Sequence, residues 1–89
     1  MVYVDNACIP YGSMLMCHLA ADSTDELLRM VDRIGVHRKW LQHPGAWDEH
    51  FDVCLAKRRL AIRHGAQPVT RRELMAYLRA RRAGFEGLQ

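Results

Sequence analysis

No apolar run in this 89-residue chain approaches the ~20 residues that a membrane-spanning helix needs. The start, Met1-Val2-Tyr3-Val4-Asp5, lacks the basic head and long apolar stretch of a secretory signal, so a cytoplasmic setting and no membrane partner are expected. Cysteine is scarce. Cys8, Cys17 and Cys54 are odd in number and form no CxxC pair, which argues against a disulfide framework. No two histidines stand at HxxxH spacing, and no helix-turn-helix, zinc-finger or ribonucleoprotein motif occurs. Repeats, low-complexity tracts and a dividing linker are also missing. What remains is one globular domain, expected over 1–83, with a flexible tail over 84–89. Apolar residues at 49% and charged residues at 26% place it outside the disordered regime.

The charge is unevenly placed. Residues 1–50 carry four Lys/Arg against seven Asp/Glu, a net −3, and residues 51–89 carry nine against three, a net +6. The basic half suits an anionic partner, a nucleotide or nucleic acid, although solvated arginine-rich helix faces give the same count.

Hydropathy patterning predicts a mixed α/β domain in the order β-β-α-(β)-α-β-α, with a three- or four-stranded sheet and about three helices. Val2-Tyr3-Val4 reads as a strand, and Asn6 to Ser13, with Pro10 and Gly12, as a loop. Met14 to Ala20 is apolar on both faces, as a central strand covered on both sides would be. Ser23-Thr24-Asp25-Glu26 is a capping box that opens a helix over about 24–34, and Gly35 closes it. Val36 to Gln42 fits either a short strand or an irregular helical turn. A second helix is expected from Val53 or Cys54 to His64, capped by Asp52 and stopped by Gly65. Gln67-Pro68-Val69 reads as a short edge strand. Thr70-Arg71-Arg72-Glu73 is a second capping box, opening a helix that Gly84 should end near Arg82. Trp40 and Tyr77 are expected in the core and Trp47 in an exposed loop.

The candidate chemistry sits next to the ends of these elements, where α/β folds gather side chains and free amides. Asp5, His18, His50 and Asp52 are residue types for acid/base work or for a hard metal. Each has a structural alternative: an Asx turn for Asp5, a core histidine for His18, an N-cap for Asp52. Lys57 and Arg58, at the start of the second helix, could hold a phosphate or could form a solvated face. A zinc set of Cys17, His18, His50 and Cys54 meets the objection that strand neighbours Cys17 and His18 point to opposite faces, so no metal ligands are assigned. The sequence names no cofactor and leaves its identity open. Arg71, Arg72, Arg79 and Arg82 could meet nucleic-acid phosphates, with Trp40, Trp47 or Tyr77 to stack on bases. The helix over 70–82 could pair with a second copy as a homodimer.

Tyr3-Val4-Asp5, Pro10-Tyr11-Gly12, Met16-Cys17-His18-Leu19, Ala21-Asp22, His50-Phe51-Asp52-Val53, Lys57-Arg58, Gly65-Ala66 and Val69-Thr70-Arg71-Arg72-Glu73 occur in an order that resembles domain-of-unknown-function family 4031. The resemblance covers roughly residues 2–78 and implies a small bacterial or phage domain without an assigned activity. Ser13 stands where the family pattern has a basic residue, and Phe51 where it has tyrosine. Any ligand contact made by that base or hydroxyl is lost here. The reading these observations favour is an anion- or phosphate-binding domain, with a small hydrolase or nuclease as its enzymatic form. The alternatives are a non-catalytic nucleic-acid-binding accessory domain and a structural or dimerisation module.

Overall fold

A computed structural model describes residues 1–87. The chain runs β1 (Val2–Val4), β2 (Ile9–Tyr11), β3 (Met14–Ala21), α1 (Thr24–Ile34), a 3-10 turn (Arg38–Trp40), β4 (Phe51–Cys54), α2 (Leu55–Arg63), β5 (Gln67–Pro68) and α3 (Arg71–Gly87). The mixed α/β class and the expected order hold, in one five-stranded mixed sheet.

β3 organises the sheet. Its C-terminal half pairs antiparallel with β1 (Val4 opposite Leu19), and its N-terminal half with β2 (Ile9 opposite Met16). On its other edge β4 runs antiparallel, with His18 opposite Asp52. β5 adds in parallel beside β1. Between the β1 and β2 pairings, Asp5, Asn6, Ala7 and Cys8 face only Cys17 and His18, so the strand bulges by two residues. Cys8 turns through φ 52° to complete this bulge.

The two faces of the sheet are packed differently. Val2, Val4, Cys17, Leu19, Ala21, Phe51 and Val53 meet Leu27, Met30, Val31 and Ile34 of α1 and Ala61 of α2 in the main core. On the opposite face, Leu74 and Leu78 of α3 cover Ala20, flanked by Tyr3, Trp47, Val69 and Tyr77. Arg81 of α3 donates to the carbonyls of Trp47 and Ala21 and clamps that packing. α3 covers one end of the face only. Met14 at the other end stays exposed and Met16 half-buried.

Both capping residues bond, but only the Thr70–Glu73 pair closes as a reciprocal box, since Glu26 accepts from the Ser23 hydroxyl (3.0 Å) instead of the Ser23 amide. Ser23 Oγ accepts from the Glu26 amide at 3.2 Å, and Thr70 and Glu73 exchange side-chain bonds with each other's amides at 2.8 and 3.1 Å. Gly35 closes α1 at φ +76°, in the left-handed region.

Several expectations need correction. Residues 9–11 are a strand, not loop. Pro10 lies in an edge strand, where its missing N–H does no harm, and Gly12 (φ +58°) allows the two-residue turn into β3. Of the two readings of 36–42 the helical turn holds: a 3-10 turn is followed by a single bridge, Gln42 to His50. The strand lies instead at Phe51–Cys54, because Phe51 and Val53 alternate into the core, so Asp52 is a strand residue and caps no helix. α3 continues through Gly84 to Gly87, and residues 88–89 of the expected tail lie outside the described residues. Trp40 is 61% exposed rather than in the core, and Trp47 is half-buried against α3. Among the described residues no helix is long and apolar enough to cross a membrane.

Candidate functional site

Asp5, His18 and Asp52 lie in one row across the sheet. Asp5 faces His18 at the bulge, where its amide donates to the His18 carbonyl at 3.0 Å, and Asp52 is the register partner of His18 on β4. Paired residues share a face, and His50, two residues before Asp52, shares it as well. The four residues proposed for acid/base work therefore meet on the α3 side of the sheet, at the edge of that helix.

Asp5 anchors the row. Its side chain is almost wholly buried and accepts from the His18 amide (2.8 Å), the Ala7 amide (3.2 Å) and the His18 ring at Nδ1 (2.7 Å). Burial alone would push its carboxyl up, but these bonds outweigh it and hold the group below the ordinary carboxylate range. The same contact raises the imidazole pKa of His18 against the opposing effect of burial. Asp5 is thus spent on orienting His18 and closing the bulge.

His50 is oriented in the same way by a different acceptor. Its Nδ1 lies 2.7 Å from the Asp48 carbonyl, and its backbone is bridged to Gln42 in both directions. Both rings have Nδ1 committed, so Nε2 is the free nitrogen of each. Those two nitrogens point at one carboxylate oxygen: Asp52 Oδ1 is 3.5 Å from His50 Nε2 and 3.9 Å from His18 Nε2. Asp52 is held by its other oxygen, which accepts from Gln42 Nε2 at 2.8 Å. All three ligand atoms lie within 4.8 Å of one another. Tetrahedral zinc with bonds of about 2.0–2.1 Å spaces its ligand atoms by roughly 3.3 Å, so small side-chain rotations would close this set on an ion.

The set differs from the Cys17, His18, His50 and Cys54 set weighed from sequence for zinc. Cys17 is buried on the opposite face, and His50 and Cys54 lie four residues apart along an extended stretch instead of one helical turn. Lys57 does not join the site. It belongs to α2 on the other face, and its Nζ donates to the Ile34 carbonyl at the end of α1 (2.7 Å). Arg58 reaches the back of the bulge, donating to the Asp5 carbonyl at 2.8 Å, so its Nε is spent on backbone. Of the four arginines considered for nucleic acid, Arg71 stands nearest. Its amide is held by Asn6 Oδ1 (3.0 Å), and its charge opposes that of a protonated His18. Arg82 lies 5.3 Å over the Trp47 ring, while Arg72 and Arg79 are exposed along α3.

Beside the cluster, on the part of the sheet that α3 leaves open, is a cleft of about 630 Å³. Its floor is Met14, Met16, His18 and Asp52, and Tyr11, Lys39, Trp40 and Gln42 stand around it. Sequence reading missed Gln42, Lys39 and Tyr11 as site residues, and offered Trp40 only as a base-stacking alternative to a place in the core. The signal for Lys39 and Trp40 was their place in a short segment with no clear helix or strand pattern. Gln42 had none, because its role depends on a single bridge to His50.

No curated protein and no solved structure shows significant similarity to this chain. A family model described as a protein of unknown function (DUF4031) matches residues 2–81, and the chain belongs to that family.

Proposed function

We propose that the domain is a small hydrolase that binds a divalent transition-metal ion on His18 Nε2, His50 Nε2 and Asp52 Oδ1. One observation carries this reading: two histidines have Nδ1 committed to acceptors and turn their free nitrogens onto one carboxylate that is itself held from behind. Ligating histidines characteristically carry such an outer partner, which fixes the tautomer and the ring angle. Two imidazoles and one carboxylate suit zinc better than magnesium, which prefers oxygen donors and retains its water.

Three protein ligands leave a fourth position, the arrangement of catalytic rather than structural zinc. His18 and Asp52 both line the cleft, so an ion held by them would lie beside a space large enough for a substrate. An ion of this class, when bound, lowers the pKa of a coordinated water to about 7. The residues of the chain do the rest: Asp5 and the Asp48 carbonyl hold the rings, Gln42 holds the carboxylate, and α3 shields one side.

Calorimetric titration of the metal-free protein with zinc, manganese and magnesium tests the proposal. Zinc should bind with one-to-one stoichiometry and raise the melting temperature by mass action. His50→Ala should abolish both effects while retaining the wild-type circular dichroism spectrum. Zinc binding that survives in both His50→Ala and Asp52→Ala would refute the ligand set.

A further inference from the structure

Resting on the metal reading, we infer that the substrate of this site is a nucleoside phosphate, with its base stacked on Trp40 in the cleft and its phosphate directed to the His18–His50–Asp52 seat. Trp40 (61% exposed) and Tyr11 (70% exposed) are the two most exposed large apolar side chains on the described surface, and both stand on this cleft. Exposed aromatics gathered at one concavity mark a binding surface.

Trp40 is also held in place. It ends a 3-10 turn that His37 caps by accepting from the Lys39 amide at 3.0 Å, and the Trp40 amide itself donates to the His37 carbonyl at 3.2 Å. Arg38 fixes the turn to α1 through two bonds to Asp32, at 2.7 and 3.0 Å. The turn is pinned at its start by His37 and Arg38 and beyond its end by the Gln42–His50 bridge, so its backbone is already ordered before a ligand stacks on the ring. Met14 and Met16 supply a polarisable floor that adapts to a flat ring.

Charge selects the other half of the ligand. Two neutral imidazoles and one carboxylate around a divalent ion leave one positive charge on the ligand set, which the Asp5 carboxylate behind His18 offsets from one residue further away. Lys39 lies at the cleft with its Nζ 5.0 Å over the Trp40 ring, and Arg71 adds a further positive charge near His18. A neutral apolar ester would leave Lys39 unused, and inorganic phosphate would leave Trp40 and Tyr11 bare. A volume of about 630 Å³ is within the range of sites for small organic ligands.

The reaction consistent with this ligand is hydrolysis of the phosphate ester. Water adds its oxygen to phosphorus, the P–O bond to the leaving alcohol breaks, and that alcohol leaves with a proton taken from the water. No oxidant or further reactant is required.

The test uses a Trp47→Phe protein, which leaves Trp40 as the sole tryptophan, loaded with zinc and titrated by fluorescence with adenosine monophosphate, adenosine and inorganic phosphate. Adenosine monophosphate should quench saturably, adenosine should bind at least tenfold more weakly, and phosphate should bind without quenching. Trp40→Ala, at an exposed position that does not endanger folding, should weaken adenosine monophosphate by about tenfold in calorimetry while leaving zinc affinity unchanged. A thymidine tetranucleotide distinguishes a free nucleotide from the end of a strand as the source of the same chemistry. Equal affinity of adenosine and its monophosphate, or of wild type and Trp40→Ala, would overturn the inference. So would an alkyl phosphate that competes as well as the nucleotide. Zinc binding is read in the same samples. Failure of zinc to bind overturns the metal reading, whereas zinc binding without nucleotide binding overturns this inference alone.

Discussion

Replacing Asp5 by asparagine should weaken metal binding while leaving the domain folded. The substitution is nearly isosteric at a position that is 1% exposed. Asparagine Oδ1 can still accept from the His18 and Ala7 amides, the two bonds at 2.8 and 3.2 Å that close the bulge. What changes is the third contact. The group facing His18 Nδ1 becomes an N–H donor, so Nδ1 must accept, and the proton moves to Nε2. One charge-assisted hydrogen bond is exchanged for a neutral one, a cost of about 1–2 kcal/mol. A chain of this size has a total stability of roughly 4–13 kcal/mol, so the variant should remain folded. Metal affinity suffers differently, because the nitrogen that should ligate now carries the proton. Loss of such an outer partner typically costs 10–100-fold. Guanidinium unfolding of the metal-free protein, zinc calorimetry and nitrogen-15 shifts of the His18 ring measure the three quantities. The stability difference from wild type should also depend on pH. Asp5 has a lowered pKa, so its contribution is present above the ordinary aspartate value near 4 and is lost as pH falls through the folded value. His18 has a raised pKa, so its contribution is present below about 6.5 and is lost as pH rises through the folded value. The difference should therefore be greatest between about pH 4 and 6.5 and shrink on both sides. A variant whose ring has switched tautomer yet binds zinc like wild type would refute the reasoning.

Lys57→Met keeps the side-chain stem and removes the ammonium that caps α1 at Ile34, so urea unfolding should show a loss of about 1 kcal/mol with zinc and nucleotide affinities unchanged. If added phosphate stabilises the wild type but not this variant, Lys57 is a phosphate ligand after all. Tyr77, pushed up to about 12 by burial and by its hydrogen bond to Asp22, should ionise well after an unperturbed phenol when absorbance at alkaline pH is followed. A raised pKa gives stability that is complete below the unfolded value near 10 and is lost above it, so wild type should lose about 1–2 kcal/mol relative to Tyr77→Phe between roughly pH 10 and 12 after allowance for solvent screening.

What the sequence revealed, and what it hid, divides by the range of the interaction. The Ser23 cap, the Thr70–Glu73 box and Gly35 were legible because each is decided within four residues, by a side chain and an amide that cannot avoid one another. β4 was misread for the same local reason: Asp before an apolar, helix-forming run has the pattern of a cap. Only the burial of Phe51 and Val53 against α1 and α2 converts it to strand. That conversion matters for the site. As a helix cap, Asp52 would have had no reason to share a direction with His50. As strand residues two apart they point the same way, and the register of β4 on β3 then brings them to His18. The bulge after β1 was equally hidden, since Pro10 and Gly12 mark a turn without saying that the residues before it would pair. Trp40 was assigned to the core on the argument that a small domain needs its aromatic volume, and that argument was sound for Phe51. It fails for Trp40 because α3 packs over one end of the sheet only, and Trp40 stands at the uncovered end. An aromatic left in solvent beside a convergent pair of histidines is better explained by what it meets there than by any demand of the core, which is why the cleft, rather than the basic helix, is the place to look for the ligand.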